Sequence, residues 1–465
     1  MKKTVLCSVV AALAAGAWSM PYSDGERVVF YGDSVTHHGH YVTPIQTFYY
    51  TRYPDRDVRI WNCGVGGETS GEALWRFNVD ILARRPTSAT VLFGMNDVCA
   101  PGYRPDADEM ALRRRKEAPA SFETNMRKIL ARFRQDLPGA KLTWCTLVPW
   151  DDELKFVKPR PPITGVTAGE RPLCDFVTCF QKEVGGGYVD YYTPMLAYNR
   201  KLHAQNPYTS LSPDTIHPKE PGGLFMAHLF LKAQGHDGIV SDICVDGKML
   251  RTKRAKNAEI SAVAQVGGGI AFTVLERALP FPVNPAARSL ADDIGFDVAL
   301  NREMLSVTGL AAGDWTLSID GVSVVTKSAA EWAKGVNLAT CETPMMVQSR
   351  RVSAKVEERR AKEREVRDMM VARVVALRWL GGGIPFAEGE KGKDSRFAQA
   401  FAAGYMKACR DVKINPPDAR FESLNRGWQN RQKMEAAIEA MHLEIRKLNH
   451  PTPHRFVLTK SGSWR

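Results

Sequence analysis

The chain has 465 residues, which is enough for two or three domains. Hydrophobic residues make up 44% of it and charged residues 25%, so the composition is that of a globular protein and excludes collagen-like and disordered chains. The formal net charge is +12, and residues 341–465 carry 25 Lys and Arg against 15 Asp and Glu. Most of the positive excess therefore lies near the C-terminus.

The first twenty residues have the layout of a secretory signal peptide. Lys2 and Lys3 precede an apolar run from Val5 to Ala17, which small residues follow. The run is shorter than the roughly 20 residues that a membrane-spanning helix needs. A buried N-terminal helix or a membrane anchor are the alternatives. We predict a signal peptide at residues 1–20 and a secreted or periplasmic protein that is not integral to the membrane.

Residues 21–240 alternate short apolar runs with stretches of helical periodicity, which is typical of a parallel sheet with crossover helices. The predicted strands are 28–31, 58–61, 89–93, 141–146 and 187–190, and the predicted helices include 41–53, 71–83 and 121–136. We expect a three-layer α/β domain. Two Pro-rich excursions, 100–119 and 150–173, are predicted to be irregular. They follow strand ends and are either walls of a substrate cleft or surface insertions.

The character of the chain changes after about residue 235. Alternating apolar residues at 305–307 and 315–319, with a turn at Asp320-Gly321, predict a small β-rich module at 241–340. Residues 341–465 are predicted to form a basic helical region. It contains one long helix at about 344–380, ended by Gly381 to Gly383, and further helices near 396–409 and 424–448.

Four short motifs carry groups suited to ester hydrolysis, which needs a hydroxyl nucleophile, a base, an acid that orients the base, and donors for an oxyanion. The first is Gly32-Asp33-Ser34, which follows the first strand and places Ser34 on a strand-to-helix turn. The second is Asn62 to Thr69, which follows the second strand and contains Gly67. The third is Gly94 to Asp97, which offers the Asn96 amide as an oxyanion donor.

The fourth motif, Asp214 to His217, lies near the end of the predicted α/β region. A separation of three residues lets one turn present both side chains together. Asp214 could then hold the imidazole tautomer while His217 takes the proton of Ser34. Asp97 is expected to support Asn96 rather than to take part in the chemistry.

These motifs, each after a successive strand, closely resemble the SGNH subgroup of the GDSL hydrolases over about residues 27–235. The resemblance implies a flavodoxin-like α/β/α hydrolase domain. It also implies that Ser34 is the nucleophile, that Asp214 and His217 complete the triad, and that Gly67 and Asn96 join the Ser34 N–H in the oxyanion hole. Gly32, Asp33 and Asp97 are the supporting motif residues.

No metal or organic cofactor is expected. His37, His38 and His40 could be metal ligands, but we interpret them as loop residues near the cleft. The eight cysteines after residue 20 show no metal-binding spacing. Cys174 and Cys179 are close enough to form a local disulfide, but buried free thiols fit the spacing as well.

The predicted activity is that of a secreted carboxylic ester hydrolase acting on O-acetyl groups of a polysaccharide or glycan. Members of the family with an appended β module are similar to carbohydrate esterases, but fold does not select substrate. The alternatives are a lipase or lysophospholipase and a non-catalytic glycan-binding protein with a vestigial esterase fold. The basic C-terminal helices could contact an anionic surface, and a nucleic-acid partner is not expected.

Overall fold

A computed structural model describes residues 21–158, 163–379 and 430–461. The chain divides into two compact units. Unit 1 comprises the described parts of Met1–Val42, Val58–Gly235 and Lys362–Glu435, and unit 2 those of Thr43–Asp57, His236–Ala361 and Ala436–Arg465. The predicted domain boundaries at residues 240 and 340 divide the chain into consecutive segments, whereas each compact unit combines separate stretches of chain. These boundaries therefore stay a prediction. The predicted signal peptide lies outside the described residues.

Unit 1 is built on a five-stranded sheet in the order β2-β1-β3-β4-β5, in which every neighbouring pair is parallel. The strands are β1 (Arg27–Gly32), β2 (Arg59–Gly64), β3 (Ser88–Leu92), β4 (Lys141–Cys145) and β5 (Gly187–Val189). Residues 28–31 of β1 are fully buried, as expected for the central strand of a parallel sheet. The predicted parallel α/β fold is therefore confirmed.

The helices between and after these strands mostly agree with the sequence pattern. They are α1 (Ser34–His38), α2 (Val42–Arg52), α3 (Ser70–Ala73), α4 (Glu109–Asp136), α5 (Val166–Val184), α6 (Tyr192–Gln205) and α7 (Glu220–Ala233). Most of α2 belongs to unit 2. The helix predicted at 71–83 is only partly regular, because short 3₁₀ and π turns replace α-helix over residues 74–84.

The two predicted irregular excursions are wrong in part, since each contains the start of a long helix. Asp108 accepts a hydrogen bond from the Ala111 N–H and caps α4, which continues through Pro119. A proline inside a helix removes one backbone hydrogen bond. Here the apolar face that begins at Ala118 and runs to Phe133 keeps the helix packed. Likewise α5 begins at Val166, within the second excursion.

Unit 2 contains two sheets. The first has the order β13-β10-β6-β7 and the second the order β12-β11-β14-β9-β8. Their strands are β6 (Ile239–Asp246), β7 (Arg251–Lys256), β8 (Ala258–Val266), β9 (Gly269–Glu276), β10 (Arg302–Thr308), β11 (Asp314–Ile319), β12 (Val322–Ser328), β13 (Val336–Asn337) and β14 (His454–Lys460). Short helices α8 (Arg288–Asp293), α9 (Phe296–Leu300) and α10 (Ala329–Lys334) connect them. The β-strands predicted around residues 305 and 317 are present.

The predicted helical C-terminal region also contains a strand that was not predicted. This strand, β14, pairs with β9 and β11 in the middle of the second sheet. The long helix is present as α11 (Pro344–Trp379), and α12 (Arg431–Leu448) covers the described part of the last predicted helix. The helix predicted at 396–409 and the glycines at 381–383 lie outside the described residues. Arg359, Arg367 and Arg373 of α11 are buried, so its basic side chains do not all face solvent.

The seven cysteines within the described ranges are all free thiols, and this includes Cys174 and Cys179. No helix in the part of the chain that the structure describes is both long and apolar enough to cross a membrane.

Candidate active site

Ser34 lies at the carboxyl end of β1, as the first residue of α1. Asp33 forms the turn before it, and its Oδ1 accepts a hydrogen bond from the Val35 N–H at 3.0 Å. Gly32 is required because a Cβ there would lie 2.2 Å from Thr36 Oγ1 and 2.7 Å from Leu92 O. Burial raises the pKa of Asp33 to about 7. The tight turn leaves the Ser34 hydroxyl at the wall of a cavity.

Ser34, His217 and Asp214 form a continuous hydrogen-bonded chain. His217 Nε2 lies 2.9 Å from Ser34 Oγ, and His217 Nδ1 lies 2.8 Å from Asp214 Oδ2. Burial alone would raise the pKa of Asp214, but hydrogen bonds from the His217 ring and from the backbone N–H groups of His217 and Ile216 hold it well below its usual range. Asp214 is therefore a carboxylate that can fix the tautomer of the imidazole.

Gly67 and Asn96 line the same cavity as Ser34 and His217, and its volume is about 820 Å³. Gly67 has φ +74°, a conformation that favours glycine. Within the described ranges, the backbone N–H groups of Ser34 and Gly67 donate no hydrogen bond. Asn96 Nδ2 donates to the Glu68 carbonyl at 2.9 Å, which leaves the second N–H of its amide available. Three polar N–H donors thus border one cavity.

Asp97 connects the loop after β3 to the loop after β2. Its carboxylate accepts hydrogen bonds from the Ser70 N–H at 3.1 Å and from the Ser70 hydroxyl. Burial raises the pKa of Asp97 to about 6, against the effect of the Ser70 hydrogen bonds. The side chain therefore ties together the two loops that carry Gly67 and Asn96.

The three neighbouring histidines face different partners rather than one point. His37 lies between the Gly66 N–H and Asp368, and His40 Nδ1 lies 3.5 Å from Glu220. His38 lines the cavity and packs edge-on against His217, with ring centroids 4.6 Å apart. Burial lowers the pKa of His38 to about 3, so this ring stays neutral beside the catalytic candidates.

A buried ion-pair network under the site was missed by the sequence analysis. Arg76 donates to the carboxylates of Glu68 and Asp80 and to the carbonyl of Gly32. Arg367 of α11 also donates to Asp80, at 2.6 Å. Arg378, near the end of α11, lines the cavity. Nothing local in the sequence indicates these partners, because Arg367 lies 287 residues after Asp80.

The arrangement has the groups that acyl transfer needs. A neutral imidazole between a hydroxyl and a carboxylate can take a proton from the hydroxyl as it attacks a carbonyl carbon. N–H donors at the cavity wall can stabilise the negative oxygen that this attack creates.

Comparison with known proteins places residues 30–223 in a match to the model of the GDSL-like lipase/acylhydrolase family. An acetylxylan esterase of Geobacillus stearothermophilus is 22% identical over 237 residues, which is 48% of this chain and 100% of that protein. The crystal structure of an acetylxylan esterase from the same organism is 21% identical, covers 47% of this chain and 97% of its own, and has a TM-score of 0.38.

A solved structure of a gut microbial diltiazem-metabolizing enzyme is similar over almost the whole chain. It covers 95% of this chain and 99% of its own, at 27% identity and a TM-score of 0.80. The likeness therefore extends through both units, whereas the family model matches only the α/β part. Residues 30–223 of this chain are therefore similar to the GDSL-like lipase/acylhydrolase family.

Proposed function

We propose that this protein is a serine esterase that removes O-acetyl groups from a carbohydrate. The observation that carries the proposal is the chain of hydrogen bonds from Ser34 through His217 to Asp214, at 2.9 and 2.8 Å, at the wall of an open cavity. Similarity to an acylhydrolase family supports ester hydrolysis as the reaction.

In the proposed mechanism, Ser34 Oγ attacks the acetyl carbonyl while His217 Nε2 takes the hydroxyl proton. The N–H groups of Ser34 and Gly67 and the amide of Asn96 stabilise the oxyanion. The tetrahedral intermediate then expels the sugar oxygen, which receives the proton from His217. Water attacks the acetyl-serine with His217 again as base, and acetate and free Ser34 are the products.

The cavity walls support a polar substrate. Arg104, Arg114 and Glu117 from the insertion after β3 line it together with Asn125. Such groups can donate to and accept from the hydroxyls of a sugar. Trp150 also lines the cavity, although most of this residue is buried. The acetylxylan esterase relative agrees with this substrate class.

We also propose that the protein is exported from the cytoplasm. The support is the pair of lysines and the apolar run at the start of the sequence, which are typical of a signal peptide. A polymeric glycan substrate outside the cell would require such export.

The proposal is tested by measuring acetate release from a panel of acetylated polysaccharides and from diltiazem, a small acetate ester. Acetyl and long-chain p-nitrophenyl esters are measured in parallel, with Ser34→Ala as the control. We expect Ser34-dependent acetate release from one class of polysaccharide and faster turnover of the acetyl ester. Preference for long-chain esters with no polysaccharide activity would move the assignment to lipid hydrolysis.

A further inference from the structure

The last five turns or so of α11, residues 362–379, belong to unit 1. Within this segment, Arg378 contacts the loop that carries Gly67. This segment is outside the residues that match the family model. Resting on the proposed esterase function, we infer that Arg378 and Asp368 are positioning residues that hold the oxyanion loop, residues 66–68, in its reactive conformation.

Arg378 holds one side of the oxyanion loop directly. Its Nη2 donates to the Gly67 carbonyl at 2.7 Å, and its Nε and Nη2 donate to the two carboxylate oxygens of Glu72 at 2.6 and 2.8 Å. Glu72 in turn accepts a hydrogen bond from the Thr69 N–H at 2.9 Å. One guanidinium thus fixes both the peptide after Gly67 and the side chain that caps the following helix.

Asp368 holds the other side of the loop through His37. The Gly66 N–H donates to His37 Nδ1 at 3.1 Å, so this nitrogen is an acceptor and the ring proton is on Nε2. His37 Nε2 then donates to Asp368 Oδ1, also at 3.1 Å. The His37 ring is buried, so its orientation depends on these two contacts.

These contacts bracket the peptide group whose N–H is the proposed oxyanion donor. The peptide before it is held through the Gly66 N–H and the peptide after it through the Gly67 carbonyl, and both holds come from α11. Two adjacent glycines would otherwise give this loop a wide choice of conformations. Because an oxyanion donor is effective only when it is fixed before the reaction, α11 supplies preorganisation.

The α11 segment is itself fixed in place. Arg367, which is 2% exposed, forms an ion pair with the fully buried Asp80. The side chain of Val371 lies against Gly66, with its Cγ2 3.7 Å from the position that a Cβ would take there. The helix that carries Asp368 and Arg378 is therefore held in place by a buried ion pair and by its contact with Gly66.

The experiment compares full-length Arg378→Met and Asp368→Ala with the control Arg364→Met, which removes an exposed arginine of the same segment. The measurements are kcat and KM for p-nitrophenyl acetate and the affinity for a trifluoromethyl ketone, which forms a tetrahedral adduct with a nucleophilic serine. We expect kcat to fall about 10- to 100-fold in Arg378→Met and in Asp368→Ala but not in Arg364→Met, since a small displacement of a donor has effects of this size. KM should stay within about twofold, and ketone affinity should fall in parallel with kcat.

Arg378→Lys keeps a donor for the Gly67 carbonyl and should recover part of the loss, which a general packing defect would not allow. Wild-type kcat in both Arg378→Met and Asp368→Ala would overturn the inference. A loss of kcat without loss of ketone affinity would also overturn it. If Arg378→Met does not fold, Asp368→Ala decides, because it acts on the other side of the loop. If the wild-type protein hydrolyses no ester, the proposed function fails instead.

Discussion

The hydrogen bonding of Asn96 leaves a single amide N–H that can contact a substrate. One N–H of its amide is committed to the Glu68 carbonyl at 2.9 Å, so only the second N–H can serve a substrate oxygen. Asn96→Ala should lower kcat about 10²- to 10³-fold with little change in KM, because an oxyanion donor acts mainly in the transition state. Steady-state kinetics on p-nitrophenyl acetate measure this, with the exposed Asn78→Ala as the control. A change in KM alone would contradict the assignment.

Asp33 gives a prediction about pH and stability. Its carboxylate is fully buried, and burial raises its pKa to about 7. The folded state therefore binds this proton more tightly than the unfolded state, so stability falls as pH rises from about 4 to about 7. Asp33→Asn keeps an acceptor for the Val35 N–H but cannot ionise. Its melting temperature relative to wild type should rise between pH 5 and pH 8.

The exposed Asp106→Asn is the matched control for that series and should track the wild type at every pH. If the difference in melting temperature between Asp33→Asn and wild type does not change with pH, Asp33 is not the group whose ionisation lowers stability.

The sequence could predict the motif residues because each lies directly after a strand or within one turn. The structure brings Ser34, His217 and Asp214 into one hydrogen-bonded chain. The sequence could not predict the roles of Arg378 and Asp368, because their partners Gly67 and His37 are more than 300 residues away along the chain. An arginine on a charged helix has the same local pattern whether it faces solvent or an active site.

The buried ion pair between Arg367 of α11 and Asp80, which precedes β3, is the contact between elements that a single substitution would disrupt most. Burial would raise the pKa of Asp80, but Arg367, Arg84 and Arg76 together hold it well below its usual range. Arg367→Met should lower the free energy of unfolding by about 3 kcal/mol, because the buried carboxylate loses one of its partners. Urea denaturation measures the loss.

The exposed Arg364→Met serves as the control on the same helix, and its unfolding midpoint should match wild type. A double variant with Asp80→Asn separates the pair from the rest of the network. If Arg367→Met cost as much in the Asp80→Asn background as in wild type, the stabilisation would not come from this ion pair.

Helix and strand boundaries were predictable where one local rule decides them. The apolar run of β1 and the alternation in β11 are of this kind. The start of α4 was not, because Pro119 and the charged residues around it indicate a break. The packed face from Ala118 to Phe133 outweighs that local preference, and such packing is a property of the fold rather than of the segment.

At the scale of the whole molecule, the final strand completes a sheet whose other strands come from residues 258–328. Phe456 of β14 is 1% exposed and stacks on Phe272 of β9, with ring centroids 5.6 Å apart. Phe456→Ala should lower the free energy of unfolding by about 3 to 5 kcal/mol through loss of buried apolar surface and the cavity left behind. Thermal unfolding of the full-length protein provides the measurement, with the exposed Arg455→Ala as control.

An unchanged melting temperature in Phe456→Ala would mean that β14 is not an integral strand of unit 2. The sequence did not predict this strand, because its pairing with β9 and β11 joins residues more than a hundred positions apart. Both units are assembled from separated stretches of chain, so their limits cannot be read from changes in composition along it.

The proposed esterase activity requires that Ser34 is a nucleophile activated by His217. Reaction of the full-length protein with a fluorophosphonate, followed by peptide mass spectrometry, tests it most directly. We expect one adduct per chain, located on Ser34, and a labelling rate reduced about 10³-fold or more in His217→Ala. No adduct on Ser34, or labelling at the wild-type rate in His217→Ala, would contradict it.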